Sequence, residues 1–206
     1  MEVQAHGNKY EDIKIRELTG LSKKEYDKLK KNGYTSAMDI VRGLHSDVDI
    51  SIKTTGSKQI DSSDINKKLQ QKEYDLIVAQ WKQITPKIKR FHTEYRFHIK
   101  LEHESLLWGT MSIEKINEYV TKIKSVDYKN RAEVLGYRKQ KKNVWLNELA
   151  WDKNALIQPR PKVDSTQARV QCSIHIDKLI NSGIKFQKKE INILIESEPR
   201  IRKSKK

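Results

Sequence analysis

The sequence predicts a mixed fold of the α/β or α+β class, and three stretches of the chain carry that prediction. Apolar residues from Tyr10 to Lys31 recur at helical spacing, with Gly20 and Ser22 as the point where this helix can divide in two. In residues 48–53, and again in residues 90–102, apolar and polar side chains alternate, as in strands with one buried face. Helices of ordinary length mixed with strands indicate this fold class.

Local patterns place the next elements of the first half. Residues 62–64 (Ser-Ser-Asp) have the composition of a helix N-cap in front of residues 65–69. The apolar run at 74–81 predicts a strand buried on both faces. A helix continuing from residue 64 is the alternative, because periodicity does not separate the two in so short a run. The alternation in residues 90–102 predicts one apolar face (Phe91, Tyr95, Phe97, Ile99, Leu101) and one polar face (His92, Glu94, Arg96, His98, Lys100).

The second half combines helices with two late strands. From Ser112 the apolar spacing is helical, and residues 155–163, with Pro159 and Pro161, are predicted to be a linker or exposed loop. The segments ARVQCSIHI and KEINILIES predict strands around a short helix at 177–181. At least three of the four tryptophans are predicted to be core residues, because tryptophan beside leucine is usually buried: Trp81, Trp108, Trp145 and Trp151.

The charge of the chain predicts a polyanionic partner. Lys and Arg number 42 against 27 Asp and Glu, giving a net charge of +15, which favours nucleic acid over a merely solvated basic surface. One cysteine, Cys172, excludes an internal disulfide framework and a Cys-rich zinc site. Without an apolar run of membrane-spanning length or a signal-peptide core, we expect an intracellular protein with no membrane partner, in the cytoplasm, or in a nucleus or virion.

The residues that carry chemistry lie in the segment AMDIVRGLHSDVDISIKTTGS. Asp49, Ser51 and Lys53 project from one face of the predicted strand, and a hairpin would bring Asp39 against that face. Carboxylates there could hold a hard divalent cation through oxygen ligands. A lysine beside such a metal can stabilise or deprotonate the attacking water in phosphodiester hydrolysis.

This arrangement resembles the PD-(D/E)xK superfamily of nucleases, in which a helix precedes a strand with Asp and a following strand carries Glu/Asp-x-Lys. The helix corresponds to residues 10–31, the Asp to Asp39 and the closing triplet to Ser51-Ile52-Lys53. The resemblance covers about residues 10–100. It implies a restriction-endonuclease-like core with a mixed central sheet flanked by helices, and a Mg²⁺-dependent DNA endonuclease, with Mn²⁺ as an alternative ion, of the kind found in restriction systems. The implied catalytic residues are Asp39, Ser51 and Lys53, and the implied metal ligands are Asp39 and Asp49.

One position departs from the family pattern. Ser51 stands where the family usually has Glu or Asp, so another carboxylate would have to supply that ligand; Asp49, Glu17 and Glu25 are candidates. The alternative is a non-catalytic DNA- or RNA-binding protein on a nuclease-like scaffold. In that case Asp49 and Lys53 form a same-face ion pair and Asp39 is a turn or cap residue.

Basic residues outside this segment are the predicted phosphate contacts. They are Arg96 and Lys100 on the third strand, a cluster formed by Arg138, Lys139, Lys141 and Lys142, and the C-terminal tail. The predicted organisation is a single domain with a nuclease-like core over about 10–105, a recognition or dimerisation extension over about 106–198 and a basic tail at 199–206. If the protein cuts duplex DNA at a specific site, we expect a homodimer, because two-fold symmetric cleavage needs two active sites.

Overall fold

The computed structural model describes residues 5–31, 33, 36 and 38–196, so the predicted basic tail lies outside the described residues. The helices and strands are α1 (Ala5–Thr19), α2 (Lys23–Leu29), β1 (Ile50–Thr55), β2 (Gln59–Asp64), α3 (Ile65–Leu69), β3 (Tyr74–Gln83), β4 (Ile88–Ile99), α4 (Glu104–Trp108), α5 (Ile113–Lys124), α6 (Arg131–Gly136), α7 (Lys142–Leu149), β5 (Ile157–Asp164), β6 (Gln167–His175), α8 (Ile176–Ile180) and β7 (Phe186–Glu196). A 3₁₀ turn at Leu101–His103 precedes α4, and a π-helical turn at Tyr137–Lys141 joins α6 to α7.

The chain forms two compact units. The first consists of the described residues of Met1–Ile60, Glu73–Ile99 and Ile184–Lys206, and the second of Asp61–Lys72 and Lys100–Gly183. Helices and a sheet with both parallel and antiparallel strand pairs confirm the predicted mixed α/β class. No helix in the described part of the chain is long and apolar enough to cross a lipid bilayer.

The first unit is built on a four-stranded sheet with the order β1-β3-β4-β7. Strands β1 and β3 are parallel, which requires the long connection through residues 56–73, whereas β3, β4 and β7 pair antiparallel. The predicted strand at 74–81 is therefore confirmed, and its helical alternative is wrong. Because β7 belongs to this sheet, the first unit takes in residues beyond 105 that the sequence had suggested for an extension.

Helices α1 and α2 cover one face of this sheet. The helical run divides where the sequence predicts, because Gly20 adopts a φ of 76° and Ser22 caps α2 in a capping box with Glu25. Tyr10, Ile15 and Tyr26 from the two helices pack on apolar sheet residues, and this cluster is the core of the unit: Ile40, Ile50, Ile52, Ile77, Ala79, Phe91 and Ile195.

A β-bulge changes the predicted faces of β4. The register shifts between Phe91 and Thr93, so the alternation of side chains is broken there. Phe91 consequently stacks on Tyr10, with ring centroids 4.6 Å apart, and lies on the helical side of the sheet with Glu94, which accepts a hydrogen bond from the Tyr10 hydroxyl. The prediction that Phe91 shares a face with Tyr95 and Phe97 is therefore wrong.

The second unit contains the helices α3 to α8 and, except for the first two residues of β2, a three-stranded sheet with the order β2-β6-β5. Ser112 caps α5, and Asp64 caps α3, in agreement with the sequence. Residues 155–163 are not a loop, since most of them form β5. That strand tolerates Pro159 and Pro161 because it lies at the edge of the sheet, where missing N–H donors cost no ladder hydrogen bonds.

The tryptophans are less buried than the sequence suggests. Only Trp108 among them is buried, while Trp81, Trp145 and Trp151 are half-buried. Trp151 packs edge-on against Trp108 and donates its indole N–H to the Ile157 carbonyl, so its polar edge is satisfied. The prediction of at least three core tryptophans is therefore wrong.

Ile15→Ala is expected to lower the free energy of unfolding by about 2–4 kcal/mol, because it deletes a side chain that is fully buried between α1 and the sheet. Ile13→Ala on the same helix is the control, and we expect it to cost less than about 1 kcal/mol because Ile13 is exposed. Urea denaturation followed by circular dichroism measures both. Equal losses in the two variants would show that α1 does not pack as described.

Candidate active site

Asp39 lies beside the open edge of β1. The main chain at Asp39 and Ile40 forms an isolated bridge with Ile50. The N–H groups of Asp39 and Ile40 donate to the Ile50 carbonyl at 2.9 and 3.0 Å, and the Ile50 N–H donates to the Ile40 carbonyl at 2.8 Å. Beyond that bridge, on the side of β1 away from β3, no strand of the described part of the chain lies beside Ile52. The Asp39 carboxylate takes the place of one there: its Oδ2 accepts the Ile52 N–H at 2.5 Å. The side chain is thus fixed by the edge of the sheet.

Lys53 completes a charged pair with Asp39. Its Nζ lies 3.2 Å from Asp39 Oδ2 and 2.9 Å from the Ile52 carbonyl oxygen, so the ammonium folds back over the edge of the strand. The two side chains are about one-fifth to one-quarter exposed. The structure therefore brings together the two residues for which the sequence predicts metal binding and water activation, and both remain accessible to a substrate.

Glu11 is the second carboxylate of the site, and sequence reasoning missed it. It lies on α1, close enough to Asp39 for each carboxyl group to shift the pKa of the other, and it is paired with the Lys23 ammonium. The signal was available in the helix spacing, because Glu11 stands one turn before the fully buried Ile15 and must face the same side of α1. Glu17 and Glu25, the helix residues considered instead, are engaged elsewhere: Glu17 pairs with Lys14, and Glu25 caps α2.

The electrostatics distinguish the two carboxylates. Burial raises the pKa of Glu11 to about 7, and the neighbouring negative charge of Asp39 adds to that effect. Burial alone would also raise the pKa of Asp39, but the Lys53 ammonium and the Ile52 N–H hold it below its ordinary value. Asp39 is therefore an anion at neutral pH, while Glu11 is close to its midpoint and would ionise fully if a cation neutralised the pair.

Asp49 and Ser51 have other surroundings. The Asp49 carboxylate accepts the backbone N–H of Arg42 at 2.8 Å and so closes the turn before β1. The Asp39 carboxylate instead interacts with Ile52, Lys53 and Glu11. Ser51 is buried within β1. Glu11 rather than Asp49 is thus the second acidic group that the structure places at Asp39.

Two carboxylates with an adjacent main-chain carbonyl fit a magnesium ion. Mg²⁺ is commonly held by one or two carboxylates and completes its shell with water and substrate phosphate. Glu11 and Asp39 supply that number. A group of three or more acidic, histidine or cysteine ligands does not occur among the described residues. Any ion held by Glu11 and Asp39 would therefore need further ligands from outside this pair, such as water or phosphate oxygens.

The predicted phosphate contacts have mixed surroundings. Arg96 and His98 both contact the buried Asp75 carboxylate: Arg96 Nη2 lies 2.6 Å from Oδ2, and His98 Nδ1 lies 2.8 Å from Oδ1. This part of β4 is therefore a charged cluster rather than a free basic stripe. Arg138 donates to the Val163 carbonyl at 2.9 and 3.1 Å, and Lys141 lies 5.6 Å from the centroid of the Trp145 ring. Lys100, Lys139 and Lys142 are exposed.

No model of a known protein family matches this chain, and neither the curated proteins nor the solved structures contain a match. The site's own geometry therefore carries the functional assignment.

Glu11→Gln is expected to stabilise the metal-free protein above pH 7, by about 1–3 kcal/mol, because it removes a carboxylate whose ionised form is disfavoured by burial and by Asp39. The sign follows from linkage: a raised pKa in the folded state gives stability that is present below about pH 4.5 and lost as the pH rises through about 7. The advantage of the variant over the wild type should therefore grow between these two values.

The measurement is urea denaturation of both proteins at pH 5, 6, 7 and 8 in the presence of a chelator. Asp12→Asn, one residue away on the same helix, is unsuitable as a control because Asp12 accepts the Lys23 backbone N–H at 2.6 Å. Asp47→Asn, an exposed change in the turn before β1, is the better one and should show no such trend. A constant difference between Glu11→Gln and wild type over this range would contradict the assigned environment.

Proposed function

We propose that this protein is a divalent-metal-dependent endonuclease that hydrolyses phosphodiester bonds of DNA, with Mg²⁺ or Mn²⁺ held by Glu11 and Asp39. The observation that carries the proposal is the pair of Asp39 and Lys53, whose charged atoms lie 3.2 Å apart at an accessible sheet edge with a second carboxylate beside them. The resemblance of this segment to the PD-(D/E)xK nucleases supports the same assignment.

The residues suit phosphodiester hydrolysis because that reaction needs both charge neutralisation and an oriented water. In the reaction, water attacks the phosphorus, one P–O bond breaks, and the products are a phosphate monoester and a hydroxyl group. Bound metal would supply Lewis-acid stabilisation of the phosphate charge. The Lys53 ammonium, held at a fixed place by Asp39 and the Ile52 carbonyl, is suited to contact the phosphate and orient the water.

Glu11 is the carboxylate that would replace the acidic residue missing at position 51. Where the family pattern has an acidic residue before Ile52, this chain has the buried Ser51. The second carboxyl group near Asp39 is instead that of Glu11 on α1. Two acidic groups are thereby available although the triplet itself contains none. The proposal includes DNA as substrate because of the net charge of +15 and, for cleavage at a specific duplex site, a homodimer in an intracellular restriction system.

Cleavage of plasmid DNA is the direct test. With Mg²⁺ or Mn²⁺ the wild type should nick or linearise the plasmid, and Asp39→Asn and Lys53→Met should each reduce the rate by at least about 100-fold, because each removes a group that acts on the phosphate or its metal. Glu11→Gln should cause a similar loss that high Mn²⁺ partly restores.

Asp47→Asn and Lys28→Ala are the matched controls, since both change an exposed charge away from the site, and they should cut like the wild type. A wild-type protein that binds the plasmid but cuts it with neither ion would contradict the enzyme and favour the non-catalytic nucleic-acid-binding alternative. Competition between DNA and RNA of the same length identifies the nucleic acid.

Metal binding should be detectable without substrate, as a change in the melting temperature. A ligand that binds only the folded state at a concentration 100 times its dissociation constant stabilises that state by about 2.7 kcal/mol. We therefore expect millimolar Mn²⁺ to raise the melting temperature of the wild type and of Asp47→Asn, but not of Asp39→Asn. An equal rise in all three proteins would place the ion elsewhere.

A further inference from the structure

The β3–β4 hairpin extends beyond β1 as a basic ribbon. The last strand pair between β1 and β3 is Thr55 with Gln80, whereas β3 continues to Gln83 and β4 begins at Ile88. Between Asp75 and Glu94 the chain has no Asp or Glu and four Lys or Arg residues: Lys82, Lys87, Lys89 and Arg90. We define residues 81–90 as the basic ribbon.

Two residues of this ribbon form a like-charged pair. Lys82 and Arg90 lie directly opposite each other in the β3–β4 ladder, and both are exposed. Like charges in opposite cross-strand positions destabilise a sheet. Neither side chain has an ion-pair partner within the described part of the chain, and the neighbour of Arg90 on β7 is the exposed, apolar Leu194. The fold thus keeps a repulsive pair that a polyanion would neutralise.

The pair lies on the same face of the sheet as Lys53. Lys53 is opposite Val78, and Val78 and Lys82 are four residues apart on one strand, so all three side chains leave the backbone on one side, and the Lys53 ammonium then turns to the edge of β1. At a rise of about 3.3 Å per residue, Lys82 is roughly 13 Å along the sheet from the level of Lys53. That separation corresponds to about four base-pair steps of duplex DNA, which rises by about 3.4 Å per step.

The aromatic residue of the ribbon is not available to stack on bases. The Trp81 ring packs on the main chain of Gly56 so closely that a Cβ at that position would lie 2.6 Å from it. The Lys89 ammonium covers the ring at 3.5 Å from its centroid. Because single-strand binding depends on open aromatic faces, a ribbon with exposed cations and a covered tryptophan fits the backbone of a duplex.

From this geometry we propose that the basic ribbon, through Lys82 and Arg90, holds the phosphate backbone of duplex DNA and presents a phosphate about four steps away to Lys53 and Asp39. The inference extends the proposed nuclease activity. It rests on that activity only for the role of the phosphate presented to Lys53 and Asp39. The affinity of the ribbon for duplex DNA does not depend on catalysis. The ribbon differs from the Arg96–Lys100 strand, where the arginine is occupied by Asp75.

The experiment measures binding of the full chain to a labelled 20-base-pair duplex by fluorescence anisotropy, in chelator, over a series of KCl concentrations. The double variant Lys82→Gln/Arg90→Gln should weaken binding at least 10-fold at low salt. It should also reduce the slope of log affinity against log salt by about two, since each phosphate contact contributes about 0.9. The control Lys24→Gln/Lys28→Gln removes the same charge from exposed positions on α2 and should change affinity less than 3-fold.

Further measurements separate the possible outcomes. Lys82→Arg keeps the charge and should bind like the wild type. The melting temperature of the double variant should be unchanged or higher, because a repulsive pair is removed. Equal losses in the double variant and the α2 control, or a loss in Lys82→Arg as large as in the double variant, would overturn the inference. A greater loss on a 20-nucleotide single strand than on the duplex would also overturn it.

Cleavage in Mg²⁺ distinguishes this inference from the proposed function. The double variant should need more DNA for half-maximal cleavage while its rate at saturating DNA stays near that of the wild type. If the wild type cuts and the double variant binds as well as the α2 control, the ribbon assignment fails and the nuclease stands. If the wild type never cuts but the ribbon variant loses duplex affinity, the nuclease fails and the ribbon remains a duplex-binding surface.

Discussion

The hydrogen bond from the Ile52 N–H to the Asp39 carboxylate is the contact on which the candidate site depends. Strand β1 lies at the edge of its sheet, and an edge strand presents unpaired N–H and C=O groups. Here one such N–H is satisfied by a side chain instead of a strand, and the neighbouring carbonyl, that of Ile52, accepts the Lys53 ammonium. The open edge therefore positions an anion and a cation side by side, which a fully paired strand would not allow.

The charges around that contact are nearly balanced. Glu11 is paired with Lys23, Asp39 is paired with Lys53, and the Lys30 ammonium lies 3.4 Å from the Asp39 carbonyl. Burial of two neighbouring carboxylates is costly unless cations accompany them. The lysines supply that compensation in the free protein, yet the raised pKa of Glu11 shows that the compensation is incomplete. Under the proposed function, a divalent cation held by Glu11 and Asp39 would complete it.

Much of the fold could be predicted because it follows from local patterns. The division of the first helix at Gly20, the buried strand at 74–81 and the cap at Asp64 all rest on residues within one turn or one strand of each other. The errors arise where a distant part of the chain decides. The bulge at Phe91 and Thr93 changes which face meets α1, and Pro159 and Pro161 are compatible with a strand only because β5 lies at an edge.

The same distinction applies to the site. Asp39 and Lys53 could be predicted because only fourteen residues and one hairpin separate them. Glu11 could not be assigned with equal force, since its approach to Asp39 depends on how α1 packs on the sheet. Asp75 was missed because its neighbours in sequence form an apolar run, and its partners Arg96 and His98 come from the adjacent strand. Pairing across strands is not visible in a sequence read one segment at a time.

The basic residues of the chain fall into two groups, those paired with carboxylates and those without a carboxylate partner in the described part of the chain. Only the second group has charge left for a polyanion. Lys14 and Lys30 are buried beside carboxylates and serve the interior of the first unit, while Arg96 is held by Asp75. These cations contribute to the net charge but have little capacity left for a phosphate. Lys82 and Arg90 are different, because the ladder opposes them to each other and no carboxylate of the described chain neutralises them. Net charge predicts a polyanionic partner, whereas the pairing of each cation indicates which side chains are free to contact one.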